Sequence, residues 1–460
     1  MSTSENLTNR REFFKTTGKY AAATALVGLT IPYVHAAGTE TVQMALIGCG
    51  GRGTGATANA LATSGQGPIK LVAMADVFQS KLDGSYSTLN RQYATQVEVP
   101  EDRRFIGFDG FKKAIDCLRA GDIAIFATPP VFRWVHFKYA IEKGVHVFME
   151  KPISVDAPTG RRMIELGKEA EKKNLKIGVG LMVRHCRGRM ALKKKIEEGA
   201  IGDILTLRSY RMHGPQASAF SDWGMKGDQS ELLFQISRFH SFLWLSGGLF
   251  NDFYIHQVDE SCWMKGEWPV KCHAVGGRHY RDNNIDQNFD HYQVEYTFKD
   301  GAQFYFYGRT MIGCKDDFSS IAHGTKGMGT ISLGSHHLAK AGRIYKGHTV
   351  KRSEEVWAAF PENNAPDPYA MEWVDLVDAI RNNKPYNEVE RAAEASMVTT
   401  MGRYAGHTGQ EITWEDYKNN EQEFAPDADK LTLNSEAPLL ADANNKYPVP
   451  QPGILKNREY

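Results

Sequence analysis

Short apolar runs alternate with helical patterns through the first part of the chain. Residues 42–47, 69–75, 122–127 and 146–149 are apolar runs of strand length without strict alternation, and they predict strands buried on both faces. Helical spacing follows at residues 132–143 and 158–173, and residues 176–180 predict one more strand. Strands that alternate with helices predict an α/β domain with a parallel sheet covered on both sides.

The pattern changes after about Arg184. Residues 204–212, 271–276, 291–298 and 302–307 are β-rich, and residues 292–298 alternate strictly between apolar and polar. Alternation indicates an open sheet, and Lys299-Asp300-Gly301 predicts a turn between two of its strands. This second domain is therefore predicted to be α+β with an open, mostly antiparallel sheet. Helices predicted at 369–381 and 389–404 are expected to return to the first domain.

The N-terminal residues have the features of an export signal. Arg10-Arg11 and Phe13-Phe14-Lys15 precede a modest apolar run, residues 21–31, and the small residues Ala36-Ala37. The apolar run is too short to span a bilayer, and the paired arginines are typical of twin-arginine leaders. We therefore expect a periplasmic protein that is exported folded, and that stays tethered to the membrane if the leader is not cleaved. The expected divisions are a leader over 1–37, a first domain over 38–183, a second over 184–420 and an extended tail over 421–460.

Charge and cysteine content exclude several classes of function. The formal net charge of the 460 residues is +1, which does not favour a nucleic-acid or anionic-membrane partner. The six cysteines are far apart and form no C-x-x-C pair, so neither a disulfide framework nor a metal site is predicted. A small-molecule substrate is the remaining expectation.

A glycine motif follows the first predicted strand. Residues 48–53 read G-x-G-x-x-G, in which Gly48 allows a tight turn, Gly50 lets a pyrophosphate approach, and Gly53 lets the helix pack on the strand. The next predicted strand ends at Asp76, the spacing expected for an acid that binds the ribose hydroxyls. The motif predicts a Rossmann domain that binds NAD, although Arg52 could offset the preference and NADP stays open.

Two further motifs lie at the carboxyl edge of the predicted sheet. Thr128-Pro129, with His136 nearby, follows one strand, and Glu150-Lys151-Pro152 follows another. Together with Ile201-Gly202-Asp203-Ile204 and residues 247–259, they make the sequence resemble the glucose–fructose oxidoreductase/inositol dehydrogenase/rhizopine-catabolism (Gfo/Idh/MocA) family. The cofactor-binding residues expected from the motifs and the resemblance are Gly48, Gly50, Gly51, Arg52, Gly53, Asp76, Thr128, Pro129, His136, Glu150, Lys151 and Pro152.

The resemblance implies that Lys151, Asp252 and His256 meet at the nicotinamide. Asp252 and His256 are four residues apart, so they share one face of a helix. His256 is a candidate base for the hydroxyl proton, Asp252 could orient it, and Lys151 could stabilise the reacting oxygen; the proton acceptor is left open between Lys151 and His256.

Several other residues are candidates for contact with substrate. Arg184, His185 and Tyr254 could line the substrate mouth. Tyr254, His240 and His213 are unassigned candidates for a group that abstracts a proton from carbon. The resemblance also implies a homo-oligomer joined through the open sheet.

Three functions follow from these features. The first is NAD(P)-dependent oxidation of a secondary hydroxyl of a sugar, glycoside or polyol, with the cofactor held tightly and recycled in place. The second is glycoside cleavage by transient oxidation at carbon 3, elimination and re-reduction. The third is a non-catalytic sugar-binding protein on the same fold.

Overall fold

The computed structural model describes residues 40–222, 224, 229–279, 284–335, 342–359 and 367–460. The predicted leader therefore lies outside the described residues. In the part of the chain that is described, no helix combines the length and apolar character needed to cross a membrane.

The first domain contains a six-stranded sheet, and the strands within it are parallel. In chain order its strands are β1 (Val42–Ile47), β2 (Ile69–Asp76), β3 (Arg104–Ile106), β4 (Ile123–Phe126), β5 (His146–Met149) and β6 (Ile177–Val179). Their spatial order is β3-β2-β1-β4-β5-β6, so the direction of winding reverses between β1 and β4. This reversal opens a crevice at the carboxyl ends of β1 and β4, where such sheets bind ligands. The predicted Rossmann fold is confirmed.

Five helices of this domain cover the two faces of the sheet. They are α1 (Gly51–Leu61), α2 (Gln79–Gln92), α3 (Gly110–Ile115), α4 (Arg133–Lys143) and α5 (Ala157–Lys172). Val42, Met44 and Leu46 of β1 belong to the apolar cluster on one face, whereas Ala45 and Ile47 belong to the cluster on the other. Burial on both faces explains why this strand is apolar at every position except Gln43.

The second domain contains a mixed sheet with nine strands in the described ranges. They are β7 (Ile204–His213), β8 (Lys271–Gly277), β9 (His291–Thr297), β10 (Gln303–Thr310), β11 (Asp317–Gly324), β12 (Gly327–Leu333), β13 (Arg343–Tyr345), β14 (Glu355–Ala358) and β15 (Ile412–Thr413). The order is β14-β13-β12-β11-β7-β10-β9-β8-β15. The pairing of β7 with β10 is parallel and the other pairings are antiparallel. The sheet is open, as the sequence predicted.

Helices join this sheet to the first domain. They are α6 (Arg187–Glu197), α7 (Glu231–Ser237), α8 (Leu243–Ser246), α9 (Gly248–Lys265), α10 (Pro368–Arg381), α11 (Val389–Thr408) and α12 (Trp414–Lys418). Helix α9 is buried along most of its length, with Phe250 and Tyr254 against Phe306 of the sheet. Helix α10 packs Trp373 and other apolar side chains into a core cluster of the first domain.

The C-terminal tail packs closely on the protein. Residues 421–460 have little regular structure, with a 3₁₀ turn at Ala428–Lys430. Ala425, Ala437 and Tyr447 are buried in the cluster that includes the first-domain core, and Glu459 is buried near the chain terminus. The tail therefore contributes to the core despite its polar composition.

Candidate active site

The glycines of the turn after β1 have two different roles. Gly48 has φ +95°, and a Cβ there would lie 2.6 Å from the carbonyl carbon of Ala127, while a Cβ on Gly53 would lie 2.0 Å from the Gly48 oxygen. These two glycines are therefore required by packing of the protein itself. A Cβ on Gly50 or Gly51 would meet no atom within 4 Å. The backbone at these two positions faces open space at the start of α1, as a bound pyrophosphate requires.

The carboxylate of Asp76 is fixed at the end of β2. Its Oδ2 accepts from the Cys49 amide at 2.6 Å, and its Oδ1 accepts from the Phe78 amide at 2.9 Å. Burial raises the pKa of Asp76, although these amide donors and nearby Lys81 act in the opposite direction. Asp76 therefore borders the turn as predicted. Lys81 was missed by the sequence reasoning, because a lone lysine on a helix surface carries no signal.

A cleft of about 450 Å³ extends from this turn between the two domains. The first domain lines it with predicted cofactor residues, namely Gly48, Gly50, Gly51, Asp76, Thr128, Pro129 and His136. The second domain closes the other side with Ala217, Ser218, Ile236, Ser237, Phe239 and His240. Open glycine backbone, a fixed acid and a largely apolar cleft together fit a dinucleotide.

Arg133 organises the edge of the sheet beside the cleft. It donates to the Glu150 backbone oxygen at 3.0 Å and to Thr128 Oγ1 at 2.9 Å. The Thr128 hydroxyl lies 3.3 Å from Nδ1 of His136. Burial, assisted by the charge of Arg133, lowers the pKa of His136 to about 3, so this imidazole is neutral. His136 is therefore suited to hydrogen bonding at the cleft wall and unsuited to carrying a proton at neutral pH.

Arg52 contacts carboxylates other than Asp76. Its Nε lies 2.6 Å from Glu150 Oε1, and its guanidinium lies 4.5 Å from the centre of the Tyr369 ring. A second carboxylate, Glu372, lies 3.8 Å from the same guanidinium. The expectation that Arg52 offsets the charge of Asp76 therefore finds no support in its contacts.

Lys151 and Asp252 are brought together across the domain boundary. Lys151 follows β5, and its Nζ donates to the backbone oxygen of Asp252 and lies 3.8 Å from Asp252 Oδ2. Burial on its own would raise the pKa of Asp252, but the charge of Lys151 and a hydrogen bond from His240 hold it at about 2. Asp252 is consequently ionised at physiological pH.

A histidine from another segment, His240, contacts Asp252. Its Nε2 lies 3.3 Å from Asp252 Oδ2, and its Nδ1 lies 2.9 Å from Ser218 Oγ. His256 lies one turn further along α9, is 4% exposed and is not among the residues that line the cleft. Its proposed role as base stays a prediction. His240 was only an unassigned candidate because it lies on a short 3₁₀ turn, Phe239–Ser241, without a helical spacing to Asp252.

The three residues predicted at the substrate mouth do not line this cleft. Arg184 pairs with Asp259, with Nη2–Oδ1 at 2.7 Å and Nε–Oδ2 at 3.0 Å. Tyr254 is fully buried among aromatic rings of the core. None of the three lines the cleft in the described structure.

His185, the third of these residues, is held between two carboxylates. It lies 2.8 Å from Asp375 and 3.0 Å from Glu388. Burial opposes its charge, but the two carboxylates raise its pKa to about 9. Ion pairing and packing therefore account for the positions of Arg184, His185 and Tyr254.

Comparison with known proteins gives the same division of the chain. Residues 42–181 match the model described as "Oxidoreductase family, NAD-binding Rossmann fold", and residues 190–330 match the model of the GFO/IDH/MocA C-terminal domain. The chain is 25% identical over 237 residues to inositol 2-dehydrogenase of Rhizobium meliloti, covering 51% of this chain and 58% of that protein. It is 24% identical over 221 residues to a glycosyl hydrolase family 109 protein of Shewanella pealeana, covering 43% and 44%. Each match spans less than two thirds of the relative.

A solved structure shares the fold. Scyllo-inositol dehydrogenase from Lactobacillus casei, with bound NAD(H) and scyllo-inositol, superposes with a TM-score of 0.58 over 81% of this chain and 99% of that one, at 21% identity. The two family models match consecutive parts of the chain, on the two domains that form the cleft. The protein therefore belongs to the Gfo/Idh/MocA family of oxidoreductases, with an NAD-binding Rossmann domain.

Proposed function

We propose that the protein oxidises a secondary hydroxyl group of a sugar, glycoside or polyol, with NAD as its cofactor. The observation that carries this proposal is the Lys151–Asp252 pair. Asp252 contacts His240, and His240 lies in the wall of the cleft that begins at the glycine turn. A cation beside an ionised carboxylate suits a reaction in which a hydroxyl oxygen develops negative charge. The inositol dehydrogenase among the relatives supports a polyhydroxylated substrate.

The protein's own groups would hold the cofactor and position the substrate. The amides at Gly50 and Gly51 would bind the pyrophosphate, and Asp76 would accept hydrogen bonds from ribose hydroxyls. The nicotinamide supplies the acceptor for a hydride when it is bound. Lys151 would donate a hydrogen bond to the reacting oxygen of the substrate, and Asp252 would keep the ammonium group of Lys151 in place.

We further propose that the cofactor stays with the protein and is recycled in place. Elements of both domains line the cleft, so a dinucleotide in it would contact Ile236 and Phe239 of the second domain as well as the Rossmann domain. Export in a folded state, as the paired Arg10-Arg11 of the leader suggests, would carry the cofactor to the periplasm. There the hydride would return to a second substrate or to the oxidised product.

Glycoside cleavage is the second candidate function. The match to a glycosyl hydrolase family 109 protein favours it. Oxidation at carbon 3 would acidify the neighbouring C–H, so elimination of the aglycone and re-reduction could follow without net oxidation. This function needs the same Lys151–Asp252 pair, whereas a non-catalytic sugar-binding protein would not need it.

Association through the open sheet is part of the proposal. Its outer face has stacked rings of Tyr210 and Tyr307, with centroids 5.1 Å apart, and the exposed apolar residues Leu205 and Val275. Aromatic and exposed apolar side chains on an open sheet suit contact with a second copy.

The test begins with identification of the nucleotide released when the purified protein is denatured. The native protein is then incubated with inositols, aldoses and aryl glycosides, while nicotinamide absorbance and released aglycone are followed. Reduction without aglycone release supports oxidation, and aglycone release without net reduction supports cleavage. Lys151→Met should abolish both, whereas Lys70→Met, which removes an exposed lysine paired with Glu98, should not. A protein that neither contains nor binds NAD(H) would refute the proposal.

A further inference from the structure

Ser218, His240 and Asp252 form one line of hydrogen bonds that ends in the cleft. Ser218 Oγ lies 2.9 Å from His240 Nδ1, and His240 Nε2 lies 3.3 Å from Asp252 Oδ2. Ser218 and His240 both line the cleft, whereas Asp252 lies behind them. The three residue types are those that move protons together in many enzymes, and here they come from three separate segments of the second domain.

The backbone around this line is fixed by its own contacts. The backbone oxygen of His240 accepts from Asn288 Nδ2 at 2.9 Å. The imidazole packs against the Phe239 and Phe253 rings, with centroids 3.8 and 5.3 Å away. The Ser218 backbone oxygen accepts from Ser221 Oγ at 3.0 Å and also from the Ser241 hydroxyl. Ala217, directly before Ser218, has φ +47°, a conformation that residues with a Cβ seldom adopt. The chain thus accepts local strain where it presents the serine.

The ionised state of Asp252 sets the direction of the hydrogen bonds. A carboxylate only accepts, so a neutral His240 must place its single N–H on Nε2, facing Asp252. The lone pair on Nδ1 then accepts from the Ser218 hydroxyl. The lone pairs of the Ser218 oxygen are then able to accept a hydrogen bond from a donor in the cleft.

Lys151 cannot accept the proton of the substrate hydroxyl while it is charged. As the ammonium group that holds the pKa of Asp252 low, it has three donors and no acceptor. A separate group is therefore needed to receive the proton of the substrate hydroxyl, and Ser218 and His240 are placed on the cleft surface to do so.

We propose that Ser218, His240 and Asp252 are a proton relay in which His240 is the base for the substrate hydroxyl, an inference that rests on the proposed function. The O–H bond of the substrate breaks and its proton passes to Ser218 Oγ, while the Ser218 proton passes to His240 Nδ1. Oxidised nicotinamide, when bound, would supply the acceptor for the hydride of the carbinol C–H, so that the C–O bond could become a carbonyl. His240 becomes a cation stabilised by Asp252, and the reverse transfers regenerate the alcohol.

Nitrogen NMR of histidine-labelled protein tests the hydrogen-bond directions without turnover. His240 is expected as the Nε2–H tautomer, with an Nδ1 signal that shifts in Ser218→Ala but not in Ser221→Ala. Ser221→Ala is the matched control because it removes a hydroxyl bonded to the Ser218 carbonyl and leaves the relay hydroxyl in place. An Nδ1–H tautomer in the wild-type protein would overturn the relay, since that nitrogen could not then accept.

Single-turnover reduction of the bound nicotinamide tests the catalytic role. His240→Asn is expected to slow reduction about 100-fold or more, the usual range for a general base, with unchanged cofactor content and melting temperature. Ser218→Ala should slow it about 10-fold, since water can replace the hydroxyl. The control His291→Asn, in a half-exposed histidine on β9, should match the wild type. If His240→Asn reduced its bound nicotinamide at the wild-type rate, the relay alone would be overturned. If no alcohol reduced the nicotinamide bound to the wild-type protein, the proposed function would be overturned as well.

Discussion

Glu459, one residue before the end of the chain, is predicted to be a main source of stability. Its carboxylate accepts from Arg403 Nη2 at 2.7 Å and Nε at 2.9 Å, and from His407 Nδ1 at 2.5 Å. The side chain of Arg403 is 0% exposed and that of Glu459 is 2% exposed. Glu459→Ala would therefore leave a buried guanidinium without its counter-ion.

Two independent arguments give a similar magnitude for this change. Removing one partner of a buried ion pair typically costs about 3–5 kcal/mol of the free energy of unfolding. Burial would raise the pKa of Glu459, but Arg403 and His407 lower it from 4.5 to about 2, which corresponds to roughly 3 kcal/mol at neutral pH. Because the folded pKa is depressed, this stability is present above the unfolded value and is lost as the pH falls through about 2.

The loss should be measured by urea unfolding followed by circular dichroism at neutral pH. The control is Glu436→Ala, which changes an exposed glutamate of the same tail and should alter the unfolding free energy by no more than about 0.5 kcal/mol. A Glu459→Ala midpoint equal to that of the control would refute the reasoning, and would mean that the tail does not hold Arg403 in solution.

The same contact reaches the candidate active site. Arg403 Nη1 donates to the backbone oxygens of Val155 at 3.0 Å and Gly247 at 2.8 Å. Val155 lies four residues after Lys151, and Gly247 directly precedes the helix that carries Asp252. The tail thus supports, through Arg403, both segments that bring the reactive pair together.

Three further predictions concern the cofactor turn and the ion pairs. Gly50→Val should abolish NAD binding in fluorescence titrations with little change in melting temperature, whereas Gly53→Val should lower the melting temperature too, because its side chain would collide with the Gly48 oxygen. Asp76→Ala should weaken NAD binding about 10-fold or more and NADP binding less, since it removes the acceptor for the ribose hydroxyls; equal losses for both would contradict this role. His185 has a folded pKa of about 9, so the stability it contributes is complete below about pH 6.5 and is lost as the pH rises through 9. Melting temperatures measured across that window should fall less in His185→Gln than in the wild type.

The fold was largely predictable because its signals are local. The predominantly apolar runs of β1, β2, β4 and β5 predicted strands buried on both faces, and the glycine turn marked where the cofactor cleft begins. The short strand β3, Arg104–Ile106, was not predicted, since three residues are too few to show a period. The parallel pairing of β7 with β10 was also hidden, because strands about a hundred residues apart leave no local trace of their register.

The candidate site was predictable only in part, for a similar reason. Lys151 and Asp252 carried motif signals, and the structure brings them together. Ser218 and His240 have no fixed spacing to either residue, so their approach to Asp252 depends on how the second domain folds over the cleft. The sequence predicts the tail as a polar extension, because its few buried residues are far apart in sequence.

Helix α9 shows why charged motif residues near an active site can have unlike roles. Asp259 is bound by Arg184, and Glu260 lies 3.7 Å from Arg189 and accepts from the Ser332 hydroxyl. Because Arg184, Arg189 and Ser332 belong to the folded protein, Asp259 and Glu260 serve to hold α9 in place. Asp252 differs because one of its partners, His240, lies in the wall of the cleft. A carboxylate whose partner faces the cleft can influence protons on a bound molecule. The position of that partner, more than burial or charge, therefore distinguishes Asp252 from the carboxylates that follow it on the same helix.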